Sequence, residues 1–409
     1  MKDKILNWID NAASLAVELE SGLTKYPAIS PDSGGEGELD KCLFLEKWLA
    51  SRNITTLERY DAPDPRAKGG IRPNLIATIP GKSARRLWIL SHMDVVPPGE
   101  KKLWNSDPWI VVKKENPARV IGRGVEDNQQ GVVSSVLAAM AFVSLGIIPE
   151  MTIKLLFAAD EEVGSVYGIE WLVKNRRDLF NQNDMVLVPD GGDKNGECIE
   201  IAEKNIIWVK FTTKGKQTHG SRPDLGANAF LAASNLATSL HFRLSGKFGD
   251  HDPLFEPDYS TFQPTKKEAN VPNINTIPGE DVFFIDARVL PRYPIDSVLS
   301  EINLIKTEIE KKHSVTVDCE IVQSTESKPT SAESPIVKKL SEAVKEIYNV
   351  KTRPVGIGGG TMAASLRNIG IDCAVWTKTE ESLHQPNEFA LLENIAGDAK
   401  VIALLALEK

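Results

Sequence analysis

Ile153-Lys-Leu-Leu-Phe-Ala-Ala159 is a short apolar run, and Asp160-Glu161-Glu162 follows it at once. Such a run reads as a buried strand that meets solvent at its carboxyl end. Adjacent carboxylates at a strand end point different ways, so one can hold a cation while the other stays free to move a proton. A binding module needs only the first job. A hydrolase that activates water with a metal needs both. A plainer reading is that the two acids open a helix, where negative charge is favoured.

Outward from this strand the pattern repeats. Leu87-Trp-Ile-Leu90 and Met185-Val-Leu-Val188 are further short apolar runs, and Asn128–Leu145 and Val166–Leu179 have helical period. Strand-like and helical segments in alternation predict an α/β fold with a mostly parallel sheet covered on both faces. Near Glu203 the texture changes. Ile206–Thr213, Val282–Val289 and Val315–Val322 read as strands, Ala227–Phe242 and Ile295–Lys312 as helices, and Ser245–Pro272 as a polar, Pro-rich loop. That order predicts an inserted α+β domain with a βαββαβ-like antiparallel layer. After Lys328 come a helix (Pro335–Tyr348), a Gly-rich turn, another helix, a strand (Ile371–Trp376) and a last helix from Glu388 to Leu407. The expected division is a discontinuous domain, 1–203 plus 327–409, and an insertion, 204–326.

The chain has 409 residues, a net charge of −8, 42% hydrophobic and 25% charged residues. The length allows two full cores. The acidic balance argues against a nucleic acid or an anionic membrane as partner. No apolar stretch is long and uncharged enough to span a bilayer. The N-terminal segment lacks an apolar signal core and reads as one amphipathic helix with Ile5, Trp8, Ile9, Ala12, Leu15, Ala16 and Leu19 on a face. Cys42, Cys198, Cys319 and Cys373 form no CxxC and read as reduced core thiols, so the expected compartment is the cytoplasm.

Five polar positions recur at strand ends, where open α/β sheets collect ligands. His92 closes Trp88-Ile-Leu-Ser91, and Asp94 lies two residues on, on the same side, suited to fixing an imidazole tautomer. Gly122-Arg-Gly-Val-Glu-Asp127-Asn-Gln-Gln-Gly131 ends in a helix start. There Asp127 serves equally as an N-cap or a ligand, and Glu126 competes with it. Glu161-Glu162 is third. Asp190 in Val188-Pro-Asp-Gly-Gly192 is fourth and also fits a plain turn. His384 in Ser382-Leu-His-Gln-Pro-Asn-Glu388 is fifth and alone would be a surface histidine. Taken together, two histidines and three carboxylates suit a pair of zinc-like ions with one carboxylate bridging.

The ordered set HxD, GRGxxDxxxG, DEExGS, PDG and a late His before NE resembles one family over nearly the whole chain. That family is the di-zinc amidohydrolases and peptidases that include succinyl-diaminopimelate desuccinylase, acetylornithine deacetylase, the glutamate-releasing carboxypeptidases and aminoacylase. Ser260-Thr-Phe-Gln-Pro-Thr265 and Glu268–Gly279 look most like the desuccinylase-like branch. The resemblance implies that His92 and His384 each bind one ion, that Asp127 bridges, and that Glu162 and Asp190 complete the two shells. It selects Asp127 over Glu126. It also implies that Asp94 orients His92, that Glu161 is the general base, and that the Asp127–Asn128 peptide is cis. The ions would be zinc, with cobalt or manganese as substitutes. Asn128-Gln129-Gln130 stands where the family often has a lysine.

The resemblance further implies a lid and homodimerisation role for the insertion. His219, in Thr218-His-Gly220, would reach a neighbouring protomer's site and steady an oxyanion. Asn275, Arg288, Gly359, Gly360 and Thr361 would contact substrate. Gly358-Gly-Gly-Thr361 reads alternatively as a tight turn needing positive φ, and Arg288 as a structural ion pair. Met362 replaces a polar residue often found there. The expected activity is hydrolysis of an amide in a small, carboxylate-bearing N-acyl amino acid, with a dipeptidase or carboxypeptidase as the alternative. A non-catalytic metal-binding protein is the competing class, but it gives no reason for Glu161. Nothing reads as a phosphate loop or a GxSxG elbow.

Overall fold

The computed structural model describes residues 1–407, and among them the chain divides into two compact units. The first comprises 1–201, 330–354 and 361–407. The second comprises 202–329 and 355–360. Two of the boundaries fall inside strands, Cys198–Glu203 and Arg353–Ile357. The segment Val355–Gly360, expected with the first unit, clusters instead with the second.

The first unit is built on an eight-stranded sheet. Its order is Leu57–Pro63, Ile71–Ile79, Thr152–Ala158, Arg86–His92, Met185–Asp193, Cys373–Lys378, Cys198–Glu203 and Arg353–Ile357. The four central strands, from Thr152–Ala158 to Cys373–Lys378, run parallel, with antiparallel neighbours on both flanks. Trp88, Leu90, Leu156, Val186 and Val188 pack on one face against Ile169, Leu172 and Leu366. Against the opposite face lies the helix Gln129–Leu145, buried continuously through Phe142. An all-round buried helix needs apolar or small residues on every side, and Val132–Phe142 supplies them. The last helix, Leu392–Leu407, packs on it and is almost as enclosed.

The second unit is a four-stranded antiparallel sheet in the order Thr261–Lys267, Glu280–Val289, Asn205–Lys214, Thr316–Thr325. Helices Ala229–Lys247 and Ile295–His313 close a core with it, joining Leu236, Leu240, Val298 and Ile305 to Val209, Phe211, Phe283 and Ile285. Asn228 caps the first helix through Oδ1, which accepts from Leu231 N–H at 3.0 Å.

Several elements differ from the sequence expectation. The N-terminal helix is two, Lys2–Asp10 and Ala13–Thr24, broken at Asn11, although Ile5, Ile9, Ala12, Ala16 and Leu19 are all buried. Burial pattern reports which face is covered, not whether the backbone is continuous. The helix expected over Val166–Leu179 is confined to Ile169–Asn175. The loop Ser245–Pro272 contains the strand Thr261–Lys267, an edge strand whose register slips at Pro264, where a missing N–H is tolerated. The last helix starts at Leu392, because Phe389–Leu391 pairs as a strand with Ala118–Ile121. Cys319 is exposed rather than a core thiol.

Candidate active site

Parallel register brings the strand ends together. His92 pairs opposite Ala158, three residues before Glu161, and Leu87 lies opposite Met185 on the strand that leads to Asp190. His92 is 1% exposed and ends its strand. Its Nδ1 lies 3.1 Å from the backbone carbonyl of Asp94 and 3.4 Å from Asp94 Oδ1. A donor at Nδ1 leaves the Nε2 lone pair free. Nε2 faces Asp127 Oδ1 at 3.1 Å, Asp190 Oδ1 at 3.4 Å and Glu161 Oε2 at 3.9 Å.

Asp127 spans two groups. Its Oδ2 lies 3.1 Å from His384 Nε2, and that nitrogen is also 3.1 Å from Glu162 Oε2. One ligand atom each from His92, Asp127 and Glu162 fall within 4.8 Å of one another, and the same holds for His92, Glu161 and Asp190. Glu126, the rival to Asp127, points elsewhere. Its carboxylate accepts from Thr379, Glu380 and Ser382.

Short-range contacts fix these side chains. Asp160 turns the chain out of its strand with φ +69° and starts a short 3-10 turn at Glu161. Asp94 Oδ1 and Oδ2 accept the backbone N–H groups of Glu161 and Glu162, each at 3.0 Å. One carboxylate therefore orients the acid pair as well as lying beside His92. The Asp127–Asn128 peptide is cis. Asn128, on the far side of that peptide, donates to Asp190 Oδ1 at 2.7 Å and to Pro189 O at 2.6 Å, and its Oδ1 accepts from His92 N–H.

Gly131 explains why that segment carries a glycine. A Cβ there would lie 2.6 Å from Pro189 O and 3.0 Å from the Asn128 side chain. Gly131→Ala is therefore expected to destabilise the fold by about 1–3 kcal/mol through overpacking and to disturb Asp190. Urea denaturation of the metal-free variant checks the first effect, and an unchanged midpoint contradicts the close approach.

The cluster is electrostatically unbalanced. Burial opposes protonation of His92, yet Asp190, Asp127 and Asp94 outweigh it and hold the ring well above its ordinary range. Hydrogen bonds to Asp127 and Glu162 push His384 up to about 10. Burial opposes ionisation of Asp127, but His384 and His92 outweigh it and keep its carboxyl below the usual range. Burial, then the charge of Asp190, pushes Glu161 well upward. Among the described residues no lysine or arginine lies within ion-pair distance of Asp127, Glu161, Glu162 or Asp190. Glu162 Oε1 is buried with no hydrogen-bond partner. An orphaned carboxylate oxygen, a spanning aspartate and two imidazoles are the donor chemistry of divalent metal ions.

The remaining expected residues lie elsewhere in the chain. His219, in the second unit, is exposed, with Nδ1 2.8 Å from Ser221 Oγ. The Thr218–His219 strand pairs with Thr276–Ile277, and Gly220 N–H donates to Asn275 O at 2.7 Å, so His219 and Asn275 share one small structure. Arg288 donates to both oxygens of Asp286 and, at 2.8 Å, to Gly358 O. Gly358, Gly359 and Gly360 all lack positive φ, and a Cβ on any of them meets nothing closer than 3.5 Å. Neither turn geometry nor packing demands the three glycines. Thr361, in the first unit, accepts at Oγ1 from Ala363 N–H at 3.1 Å. The helix behind it, Ala363–Asn368, is a single short turn and a half.

Fold and site define a metallohydrolase that acts on amide or peptide bonds. The chain belongs to peptidase family M20/M25/M40, whose model matches residues 88–408. An uncharacterised metallohydrolase of Methanococcus maripaludis is 40% identical over 403 residues, covering 94% of this chain and 97% of that one. Succinyl-diaminopimelate desuccinylase of Nautilia profundicola is 24% identical over 382 residues, 93% of this chain and 95% of that one. Among solved structures, the dipeptidase Dug1p of Saccharomyces cerevisiae shares the fold with a TM-score of 0.77 at 15% identity, covering 100% of this chain and 98% of that one. No helix among the described residues is long and apolar enough to cross a membrane.

Proposed function

We propose that the chain removes the acyl group from an N-acyl amino acid by hydrolysing its amide. The observation that carries this is Asp127, whose two oxygens each face a different histidine at 3.1 Å. That arrangement supports two divalent cations, zinc by preference, with cobalt or manganese as substitutes. His92 and Asp190 would hold one, His384 and Glu162 the other, and Asp127 both. Bound there, the cations supply Lewis acidity toward water and the amide carbonyl. Asp94 positions Glu161 through its backbone N–H, and fixes Glu162 in the same way. The Glu161 carboxylate takes the proton from the attacking water and returns it to the leaving amine nitrogen.

Arg288 and the unconstrained glycines at 358–360 support a carboxylate on the substrate, as does the resemblance to a desuccinylase. His219, Asn275, Gly359, Gly360 and Thr361 are assigned to the substrate side by the family motif. A short peptide is the second reading, favoured by the shared fold with a dipeptidase. The exposed His219 and the apolar residues Phe230, Leu231 and Phe242, exposed at 46%, 52% and 68%, support a homodimer through the second unit. Sedimentation at micromolar concentration tests that, and a monomer rejects it. The acidic surface and free thiols support a cytoplasmic location, which cell fractionation tests.

The deciding experiment measures products over a panel of N-succinyl and N-acetyl amino acids and dipeptides, with metal-stripped protein reloaded with zinc or cobalt. Turnover of an N-acyl member that vanishes on stripping and returns on reloading is the expected result. Cleavage of dipeptides alone selects the second reading. No hydrolysis at full metal loading rejects both.

A further inference from the structure

Two buried glutamates that the reaction does not use stand beside the ligands Asp127 and His384, and each serves the other's segment. Glu388 is 0% exposed. Its Oε1 accepts the backbone N–H groups of Glu126 at 2.9 Å and Asp127 at 3.0 Å. Its Oε2 accepts from Arg123 Nη1 at 2.6 Å and from Gly124 N–H at 3.0 Å. In the opposite direction, Glu126 Oε1 accepts from Thr379 Oγ1 at 2.7 Å and from Glu380 N–H. Glu126 Oε2 accepts from Ser382 N–H and from Ser382 Oγ at 2.6 Å. Arg123 closes the lattice by donating from Nη2 to His384 O at 3.3 Å.

We propose that Glu126 and Glu388 are positioning residues that form a reciprocal brace, fixing His384 against Asp127 before any cation binds. The need for a brace is physical. His384, Glu381 and Asn387 all have positive φ, at 61°, 58° and 62°, a region that is unfavourable for residues with a Cβ. A segment with three such residues holds its shape only if its surroundings over-determine it. Eight hydrogen bonds to two carboxylates, shared between segments more than 250 residues apart, provide that determination. Bonds to ionised acceptors are also the strong ones.

The inference rests on the reading of His384 and Asp127 as ligands only for its second consequence, so the test has two arms. In the first, metal-free wild type and Glu388→Gln are compared by hydrogen exchange. The substitution puts an NH2 group against N–H donors of 124–127, and the brace requires faster exchange in the opposite segment, 379–388, as well. Glu126→Gln must in turn loosen 122–127. Loosening confined to the bonded segment overturns the brace whatever the metal does.

The second arm titrates metal-stripped protein with cobalt(II). Each single variant should lose about 10–100-fold in affinity for one ion. The visible cobalt spectrum should change, and kcat should fall with KM unchanged. The double variant should be no weaker than the weaker single, because both act on one geometry. Additive losses overturn a shared brace. Wild type that takes up no cobalt rejects the ligand reading, while the exchange arm still judges the brace.

Discussion

Glu161→Gln should lower turnover about 10²–10⁴-fold while leaving metal content unchanged. The loss corresponds to about 3–5 kcal/mol of transition-state stabilisation. Asp127 Oδ1 and Asp190 Oδ1 approach His92 Nε2 to 3.1 and 3.4 Å, whereas Glu161 Oε2 stands off at 3.9 Å. The residue is close enough to reach a water held at the cluster and is the carboxylate least committed to a histidine. Glutamine keeps the shape but cannot accept and return a proton. The rival is that Glu161 is itself a ligand, since it falls within 4.8 Å of His92 and Asp190 ligand atoms. Metal analysis of the purified variant separates the two. Full metal with lost turnover supports the proton role, metal loss converts Glu161 into a ligand, and retained turnover at matched metal rejects both. Substrate KM should stay near wild type, because the interaction is made in the transition state.

The cluster of candidate ligands was legible because a parallel strand leaves a local trace. An apolar run that stops at a polar residue marks both a strand and its carboxyl end, and His92, Glu161, Glu162 and Asp190 all carry that mark. Asp127 carried it less well. Beside Glu126 it was ambiguous, and only the family pattern chose between them. The structure supplies the physical discriminator, because Glu126 is saturated by the 379–382 segment. Nothing local announces such a role. Glu126 and Glu388 act across more than 250 residues, and long-range hydrogen bonding has no periodicity to detect. Their one hint was an acid in a Gly-rich turn, where Glu126 competed with Asp127 as a ligand, and another after Pro-Asn that closes the late histidine motif. Asn128 was similarly visible only as a partner in the cis peptide and as a missing lysine. Periodicity also misjudged Thr261–Lys267, whose Pro264 belongs to a loop unless the strand is known to lie at an edge. For Arg288 the sequence left a substrate contact and a structural ion pair both open. Asp286 engages it on two nitrogens, so any substrate carboxylate must share it.

Arg72→Met should destabilise the protein by about 3–5 kcal/mol, the cost of leaving buried acids unpaired. Arg72 is 0% exposed on the strand Ile71–Ile79. Its Nε donates to Glu38 Oε2 at 2.7 Å, and Nη2 reaches Glu38 Oε1 and, at 3.0 Å, Asp160 Oδ1. Asp160 immediately precedes Glu161, and its N–H donates to Glu38 Oε1 at 3.3 Å. The same guanidinium thus neutralises Glu38 and Asp160, lies 3.6 Å from a third buried acid, Asp64, and anchors the turn that carries Glu161 and Glu162. The deficit should depend on pH in a defined direction. Burial raises Glu38 to about 6 and raises Asp160 as well, while Arg72 pulls both down. A carboxyl raised above its unfolded value of about 4 contributes stability below that value and loses it as pH rises through the folded pKa. Removing Arg72 moves both folded values further up, so the loss continues to higher pH in the variant than in wild type. The deficit should therefore be larger at pH 8 than at pH 5, where protonation of Glu38 and Asp160 relieves the unpaired charge. Urea denaturation of metal-free protein at the two pH values measures it, with equal m-values as the condition for comparison. A deficit independent of pH would mean that Arg72 acts by packing alone. A variant as stable as wild type would mean that methionine fills the site and that the buried acids find other partners.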